Sequence, residues 1–268
     1  MPRPTIITGA TSGFGLAAAH IFAKLGLTNL ILGVRSIERG ESAAAAIRKA
    51  NASTKVDVWE LDMLDYHSVQ AFSKRCDTLP RVDMAVLNAG LNKVEFSRAP
   101  TTNHEEVLQV NYLSTALLSI LLLPVLRNKR PKSSPGRLTL VGSALGVTAK
   151  FPERNSVPLL PALDKEWSGL AAGSERYAMS KTLLFMHVLK LSELVSADEV
   201  VVNVVEPGFS GSTSFNKDLN LPLKVLIRSM HCLLGRSAEQ GAWTYVDAAA
   251  VKGKETHGSF INNWEIYP

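Results

Sequence analysis

The sequence predicts an α/β protein built on a doubly wound parallel sheet with helices on both faces. Strand-like and helix-like runs alternate along the 268 residues. Short links join these runs, as in right-handed β–α–β crossovers. Several of the strand-like runs are nearly continuous in valine, isoleucine and leucine, and strands of this kind are buried on both faces by covering helices.

The predicted elements follow in a regular order. The expected strands are 4–8, 29–34, 55–61, 82–87, 137–141, 200–205 and 258–262. The expected helices are 13–25, 37–50, 66–76, 104–126, 174–195 and 237–250. We interpret the chain as a single catalytic domain, 1–268, with two insertions, 150–173 and 210–236, that we expect to act as substrate lids.

Composition and charge argue against several classes of function. Hydrophobic residues make up 46% of the chain, enough for a sizeable core. The net charge is +5, but the basic residues are scattered, and their densest group, 127–132, has the pattern of a solvated loop. We therefore expect no nucleic-acid partner. The apolar stretch 112–126 is about 15 residues long and contains a proline, so it is too short to span a bilayer.

The cysteines and histidines show no metal-binding pattern. Cys76 and Cys232 are far apart, and the six histidines are dispersed. We predict two free thiols in a reducing compartment and no metal site. The first apolar run begins within about five residues, which leaves no room for a signal peptide. These features predict a cytoplasmic protein.

A glycine-rich segment, TGATSGFG at 8–15, lies between the first strand and the first helix. Its first glycine allows a sharp turn, and the later two let the backbone approach a pyrophosphate. The start of the helix adds free N–H groups and partial positive charge. The alternative is a tight turn without a ligand. The predicted cofactor contacts here are Gly9, Thr11, Ser12, Gly13, Phe14 and Gly15.

The end of the second strand indicates which dinucleotide would bind. An acid at this position usually holds a ribose with a free 2′-hydroxyl, but no acid occurs between Leu30 and Ile37. Arg35 stands there instead, and its planar fork can pair with a 2′-phosphate. We therefore predict NADP rather than NAD. The alternative is a surface arginine that pairs with Glu38.

Four residues form a candidate catalytic group. Tyr177 and Lys181 are four apart on a predicted helix, so they project from one face. A nearby ammonium favours the phenolate, and the tyrosine can then exchange a proton with a carbonyl or alcohol oxygen. Ser143 ends a strand and could hold the substrate oxygen. Asn111 could hold a water that connects Lys181 to solvent, or it is a hydrogen-bonded core asparagine.

These residues occur in a characteristic order, and the chain resembles the short-chain dehydrogenase/reductase family over nearly its whole length. The matching positions are Thr8, Gly9, Gly13, Gly15, Asp62, Asn88, Ala89, Gly90, Asn111, Ser143, Tyr177, Lys181, Pro207 and Gly208. The segments ELDMLDYHSV and VRSIERGE are most similar to the retinol-dehydrogenase-like and fungal biosynthetic branches of that family.

The resemblance implies a Rossmann-type sheet with strand order 3-2-1-4-5-6-7 and a tetrad of Asn111, Ser143, Tyr177 and Lys181. It places Asp62, with Met63, against the adenine and gives Lys181 a second role on the nicotinamide ribose. The further cofactor contacts that it implies are Asn88, Ala89, Gly90, Tyr177, Pro207, Gly208, Ser210 and Ser212. It also implies a homodimer or homotetramer.

The sequence departs from the family pattern at two places. Position 142 is glycine where the family often has serine, so Ser143 is the sole candidate hydroxyl. The spacing from Ser143 to Tyr177 is 34 residues, which is longer than in many members. The extra residues belong to the first insertion, and long insertions at the edge of a site are often functional.

We therefore expect an NADP-dependent oxidoreductase that interconverts a carbonyl and an alcohol on a lipophilic or polycyclic small molecule, in fungal secondary metabolism. One alternative is a protein of the same fold that binds NADP(H) without redox chemistry. Another is a membrane-associated retinoid or steroid reductase that docks through the amphipathic stretch 215–234.

Overall fold

An eight-stranded sheet forms the centre of the protein in a computed structural model that describes residues 4–209 and 235–267. The strands are β1 (Thr5–Thr8), β2 (Asn29–Val34), β3 (Lys55–Glu60), β4 (Met84–Leu87), β5 (Gly136–Val141), β6 (Val200–Val205), β7 (Phe260–Asn262) and β8 (Glu265–Tyr267). Their order is β3-β2-β1-β4-β5-β6-β7-β8. The first seven strands pair in parallel in the predicted order.

Strand β8 corrects the predicted seven-stranded order. It pairs with β7 in the antiparallel direction, so the sheet is not entirely parallel. Asn263 and Trp264 form the two-residue turn between them with φ angles of 51° and 64°. Two positive φ values are typical of the turn that closes a tight hairpin. The sequence did not reveal it because the strand has only three exposed residues and the turn lacks the usual glycine.

Helices cover both faces of the sheet, as predicted. They are α1 (Gly13–Lys24), α2 (Ile37–Ala50), α3 (Tyr66–Asp77), α4 (Glu106–Leu108), α5 (Ser114–Lys129), α6 (Leu159–Leu163), α7 (Leu170–Leu194) and α8 (Ala238–Val246). The neighbouring residues Ile6 and Ile7 of β1 point to opposite faces and enter two separate cores. One core contains α3, α5 and α7, and the other contains α1, α2 and α8.

The long helix predicted over 104–126 is interrupted by a π-helical segment, Gln109–Leu113, between α4 and α5. Extra residues of this kind inside a helix are frequent at functional sites, and Asn111 lies at the centre of the segment. Within the described ranges, one helix, Glu106–Lys129, is long and apolar enough to cross a membrane, with a mean hydropathy of 1.6. It is longer than the apolar stretch 112–126 on which the expectation depended, but 56% of its most apolar 18-residue window is buried inside the protein. The core helix of a soluble protein passes the same test.

The first insertion, 150–173, contains the 3-10 turn Pro152–Asn155, the short helix α6 and the first turn of α7. Helix α7 therefore begins four residues before its predicted start. Glu175 holds the insertion by accepting hydrogen bonds from the main-chain N–H groups of Lys150 and Phe151 at 2.7 and 2.9 Å. The second insertion, 210–236, lies outside the described residues except for its last two positions.

Candidate active site

The predicted site residues lie along one edge of the sheet, where the parallel strands have their carboxyl ends. Each follows its strand within two residues: Gly9 after β1, Arg35 after β2, Asp62 after β3, Asn88 after β4, Ser143 after β5 and Pro207 after β6. Ligands of doubly wound sheets bind at this edge. The fold thus brings together residues that are up to about two hundred positions apart in the sequence.

The glycine-rich turn after β1 fits a pyrophosphate. Gly9 and Gly13 have φ angles of 67° and 57°, a backbone region that favours glycine. A Cβ on Gly15 would lie 2.4 Å from Nδ2 of Asn88, so a side chain is excluded. The Ser12 side chain does not cap α1. The first turn of this 12-residue helix therefore has no cap from the Ser12 side chain, and a helix N-terminus of this kind favours an anion.

Asn88 joins the end of β4 to the glycine-rich turn. Its Nδ2 donates to the main-chain oxygens of Thr8 and Gly9 at 2.9 and 3.2 Å. Its Oδ1 accepts a hydrogen bond from the hydroxyl of Tyr245 at 2.8 Å. The N–H of Ala89 donates to Oγ1 of Thr8 at 2.9 Å. These bonds fix the shape of the turn from below and leave its outer surface for a ligand.

Tyr177 and Lys181 lie one turn apart on α7, and both are buried. Nζ of Lys181 is 5.7 Å from the centre of the Tyr177 ring and donates to the main-chain oxygen of Val141 at 2.8 Å. The Ser143 side chain lies near the phenol of Tyr177 and lowers its pKa. The three side chains therefore meet at the end of β5, in the arrangement that the sequence predicts.

Burial dominates the electrostatics of this group. Burial raises the pKa of Tyr177 above its usual value, Ser143 opposes the rise, and the charge of Glu206 adds to it. Burial lowers the pKa of Lys181 to about 8, and the charge of Glu206 opposes that shift. Both shifts follow from the penalty on charge in a poorly solvated place. In the structure as it stands, Tyr177 is a phenol rather than a phenolate at neutral pH.

Asn111 is held by protein groups on both sides of its amide. Its Oδ1 accepts from the N–H of Leu91 at 2.9 Å, and its Nδ2 donates to the oxygen of Leu91 and to Oγ of Ser180. A Cβ on Gly90 would lie 3.2 Å from Oδ1 of Asn111 and 3.7 Å from Nζ of Lys181. Asn111 is thus a hydrogen-bonded core asparagine that stands beside the lysine.

Comparison with known proteins identifies the family. The family model of short chain dehydrogenases matches residues 3–154, which is more than half of the chain. The chain belongs to the short-chain dehydrogenase/reductase family. Members of this family are oxidoreductases with a nicotinamide cofactor, and the chain accordingly acts between carbonyl and alcohol groups.

Fungal members of the family are similar over the whole chain. The short chain dehydrogenase/reductase mfmJ of Annulohypoxylon moriforme is 46% identical over 269 residues, covering 99% of this chain and 77% of the relative. The short chain dehydrogenase opdN of Penicillium oxalicum is 44% identical over 277 residues, covering 99% and 88%. The resemblance to the fungal branch of the family is therefore confirmed.

Solved structures of the family share the fold at low identity. The NADPH-dependent 3-quinuclidinone reductase of Rhodotorula rubra has a TM-score of 0.72 at 20% identity and covers 97% of this chain and 89% of its own. The RhlG/NADP active-site complex of Pseudomonas aeruginosa has a TM-score of 0.70 at 21% identity, with coverage of 97% and 94%. At this identity the likeness shows the fold alone.

The structure explains the family departure at Gly142. A Cβ there would lie 2.5 Å from Cγ1 of Val204 and 2.6 Å from the ring of Phe185. Phe185 is one turn beyond Lys181 on α7, so its ring occupies the space that a serine would need. Ser143 therefore remains the candidate for the catalytic hydroxyl at the end of β5.

The predicted nucleotide contacts Arg35, Asp62 and Met63 follow β2 and β3. Arg35 is exposed, and no ion pair between it and Glu38 occurs in the described part of the chain. Asp62 accepts a hydrogen bond from the N–H of Leu64 at 2.9 Å through Oδ1. Met63 is buried in the core and 6% exposed, so any cofactor contact that it makes would come from its main chain.

Aromatic side chains stand beside the first turn of α7. Trp167 and Phe96 form an edge-to-face pair with their centres 6.2 Å apart, and Arg98 lies over Phe96 at 4.9 Å. An isolated antiparallel bridge joins Glu95 to Ser168. The first insertion is thereby attached to the segment after β4 through Trp167 and Ser168, which lie ten and nine residues before Tyr177.

Sequence reasoning missed two residues of the site, Tyr245 and Glu206. Tyr245 supports Asn88 from α8, and Glu206 is a buried carboxylate directly before Pro207. Gly208 has a φ of 87° and continues the turn after β6. The predicted contacts Ser210 and Ser212 lie outside the described residues. Among residues 4–209 and 235–267, no group of three histidine, cysteine or acidic side chains could hold a metal ion.

Proposed function

We propose that the chain is an NADP-dependent reductase of a ketone or aldehyde on a lipophilic or polycyclic small molecule. The observation that carries this proposal is the meeting of Ser143, Tyr177 and Lys181 at the edge of the sheet, with the Lys181 ammonium 5.7 Å from the centre of the Tyr177 ring. The glycine-rich turn lies at the same edge. This arrangement supports proton transfer to an oxygen held beside a bound dinucleotide.

Each member of the tetrad has a distinct part in the proposed reaction. Tyr177 donates its proton to the substrate oxygen, and the Ser143 hydroxyl orients that oxygen. Lys181 uses one N–H on Val141 and has two further donors for the ribose hydroxyls of a cofactor and for a proton relay. Asn111 fixes the loop after β4 beside the lysine. When bound, the reduced nicotinamide supplies the hydride to the carbonyl carbon.

Tyr177 holds its proton at neutral pH. Burial raises its pKa further, and the protonated phenol is the form that reduction of a carbonyl requires. Oxidation of an alcohol would first require the phenolate. For alcohol oxidation, Lys181 and the positive charge of a bound oxidised nicotinamide would together lower the pKa of Tyr177.

Arg35 supports NADP as the cofactor. It is an exposed cation at the end of β2, where a 2′-phosphate of a dinucleotide would lie, and the adjacent Ser36 caps α2 by accepting from the N–H of Arg39 at 3.3 Å. Arg39 is a second exposed cation one turn along. A guanidinium pairs well with a phosphate through two N–H groups.

The surroundings of Tyr177 support a bulky apolar substrate. Trp167 and Phe96 stand beside the start of α7, and Leu145, two residues after Ser143, is 52% exposed. Insertion 150–173 is proposed to be the wall of this substrate region. With fungal relatives such as mfmJ and opdN, these features support a role in fungal biosynthesis of small molecules.

Exposed apolar side chains on α5 and α7 support a homodimer or homotetramer. Met186 and Leu189 on α7 and Ile120 on α5 are about half exposed, which supports pairing of two or four copies through these helices. Cys76 is free and buried, in keeping with a cytoplasmic, reducing environment. The amphipathic stretch 215–234, on which a membrane-docked alternative depends, lies outside the described residues.

The test is absorbance of the reduced nicotinamide during incubation with NADPH or NADH and a panel of carbonyl compounds, from small aldehydes to polycyclic quinones. We expect turnover with NADPH and a preference for the polycyclic members. Tight NADPH binding without any turnover across the panel would instead support a cofactor-binding protein without redox chemistry. Co-sedimentation of active protein with liposomes would support the membrane-associated alternative.

A further inference from the structure

Glu206 is a buried acid that none of the sequence motifs explains. It follows β6, directly before Pro207, and is only 8% exposed. A buried carboxylate is expensive unless hydrogen bonds and opposite charges compensate it. Its surroundings therefore indicate what it does.

The carboxylate bridges two strand ends of the site. Oε2 accepts from the main-chain N–H of Ala144 at 3.0 Å, and Oε1 accepts from the main-chain N–H of Gly208 at 3.2 Å. Ala144 directly follows Ser143, and Gly208 belongs to the turn after β6. One side chain thus ties the segment that carries the Ser143 hydroxyl to the turn expected beside the nicotinamide.

Among residues 4–209 and 235–267, four titratable or charged groups act on this carboxylate or respond to its charge. Lys181 on α7 and Arg236, which precedes α8, are cations whose fields lower the pKa of Glu206. Tyr177 on α7 and Tyr245 on α8 are phenols whose pKa the charge of Glu206 raises. Burial acts most strongly and raises the pKa of Glu206, and the two main-chain N–H groups oppose it.

We propose that Glu206 is a positioning residue of the active site, which fixes Ser143 through the Ala144 N–H, ties it to the turn after β6 and places a buried negative charge beside Tyr177 and Lys181. This inference rests on the proposed function of the tetrad. The charge acts in the same sense on both groups. It makes the phenol harder to deprotonate, so that the protonated form persists to higher pH, and it keeps the ammonium of Lys181 protonated.

The E206Q substitution separates the charge from the shape. Glutamine keeps one acceptor oxygen in a side chain of equal length but removes the negative charge. Tyr177 and Lys181 should then both titrate at lower pH. We expect the whole pH profile of kcat for NADPH-dependent reduction of phenanthrenequinone to move toward acid by about 0.5 to 1 unit. A purely structural role would lower the rate without moving the profile.

Two further variants complete the experiment. E206D keeps the charge but cannot reach both N–H groups, so its rate should fall while its profile stays within a few tenths of a unit of the wild-type profile. E105Q is the matched control, since Glu105 is also fully buried and accepts from two main-chain N–H groups, those of Val107 and Leu108, at 3.0 and 2.7 Å. E105Q should leave the profile in place even where it lowers stability.

A second readout needs neither cofactor nor turnover. In a double-mutant cycle of E206Q and K181M, urea unfolding of the cofactor-free protein should show a favourable coupling at pH 7 that disappears above pH 10, where the lysine is neutral. The proposal is overturned by an unshifted profile in E206Q, by an equal shift in E206D, or by zero coupling. Absence of turnover in the wild type would contradict the proposed reductase function. The coupling energy would still test whether the charge of Glu206 acts on Lys181.

Discussion

Lys181 lies one turn beyond Tyr177 on α7, with its ammonium 2.8 Å from the main-chain oxygen of Val141 and 5.7 Å from the centre of the Tyr177 ring. Strand β5 therefore holds the lysine in place before any ligand arrives. Since this ammonium is buried, its pKa falls to about 8. Burial of this positive charge opposes folding, and the cost can be measured as a loss of stability.

The stability of the wild type relative to K181M should depend on pH. The folded pKa of Lys181 is about 8, below the value of 10.5 for an exposed lysine. Burial of the charged form therefore opposes folding fully below pH 8, and this penalty is lost as pH rises toward 10.5. From the size of the shift, the wild type should gain roughly 3 kcal/mol in free energy of unfolding relative to K181M over this range.

Urea unfolding of both proteins at pH 7, 8, 9 and 10 measures this difference. K181M has no titrating group at this position but keeps all the other titrating groups of the chain. Subtracting its free energy of unfolding from that of the wild type therefore isolates the contribution of Lys181. A constant difference across the four pH values would contradict the burial of a charged lysine.

Cofactor preference should depend on Arg35. The R35D substitution replaces the guanidinium by a carboxylate that repels a 2′-phosphate and accepts from ribose hydroxyls. The preference for NADPH over NADH in kcat/KM should fall by roughly 10- to 100-fold, the range expected for loss of hydrogen bonds to a charged group. The control is K190D, which makes the same charge change on the exposed face of α7, where Lys190 pairs with Glu193. An unchanged preference in R35D would show that Arg35 is an ordinary surface residue.

The hydroxyl of Tyr245 should matter to the glycine-rich turn although it is remote from the chemistry. In Y245F, Oδ1 of Asn88 loses its donor while it stays buried beneath the turn. We expect a loss of about 1–3 kcal/mol in stability, accompanied by weaker NADPH binding, measured by quenching of protein fluorescence. Y112F removes a tyrosine hydroxyl from a ring that contacts His187 instead and should leave NADPH affinity unchanged. Equal effects of the two variants would contradict the role given to Asn88.

The sequence located much of the site because local rules govern those residues. The spacing of Tyr177 and Lys181 on a regular helix fixes a common face, and strand ends such as Ser143 and Asn88 must meet at one edge of a parallel sheet. The contact of Asn88 with Tyr245 spans 157 positions and depends on how α8 packs, so no local pattern announces it. The same holds for Glu206, whose partners lie on β5 and α7.

The proton affinity of Tyr177 could also not be predicted from the sequence. The motif suggests that Lys181, together with a bound nicotinamide, lowers the pKa of Tyr177, and this stays a prediction. The structure adds that the lysine donates to Val141 and that burial, the largest influence on the phenol, raises its pKa. The outcome depends on the amount of protein around the ring, which spacing does not reveal. The interruption at Asn111 is similar, because apolar periodicity alone predicts an unbroken helix where the chain inserts a π-helical segment.

The Y177F substitution tests most directly whether Tyr177 delivers the proton. Two quantities are measured: the rate of NADPH oxidation with phenanthrenequinone and the affinity for NADPH. Phenylalanine keeps the ring in its buried place and removes only the proton donor. We expect kcat to fall by about 10²- to 10⁴-fold, the usual contribution of a positioned acid, with NADPH affinity within a few-fold of the wild type. A variant that binds NADPH and turns over at the wild-type rate would contradict the claim that the Tyr177 phenol delivers the proton.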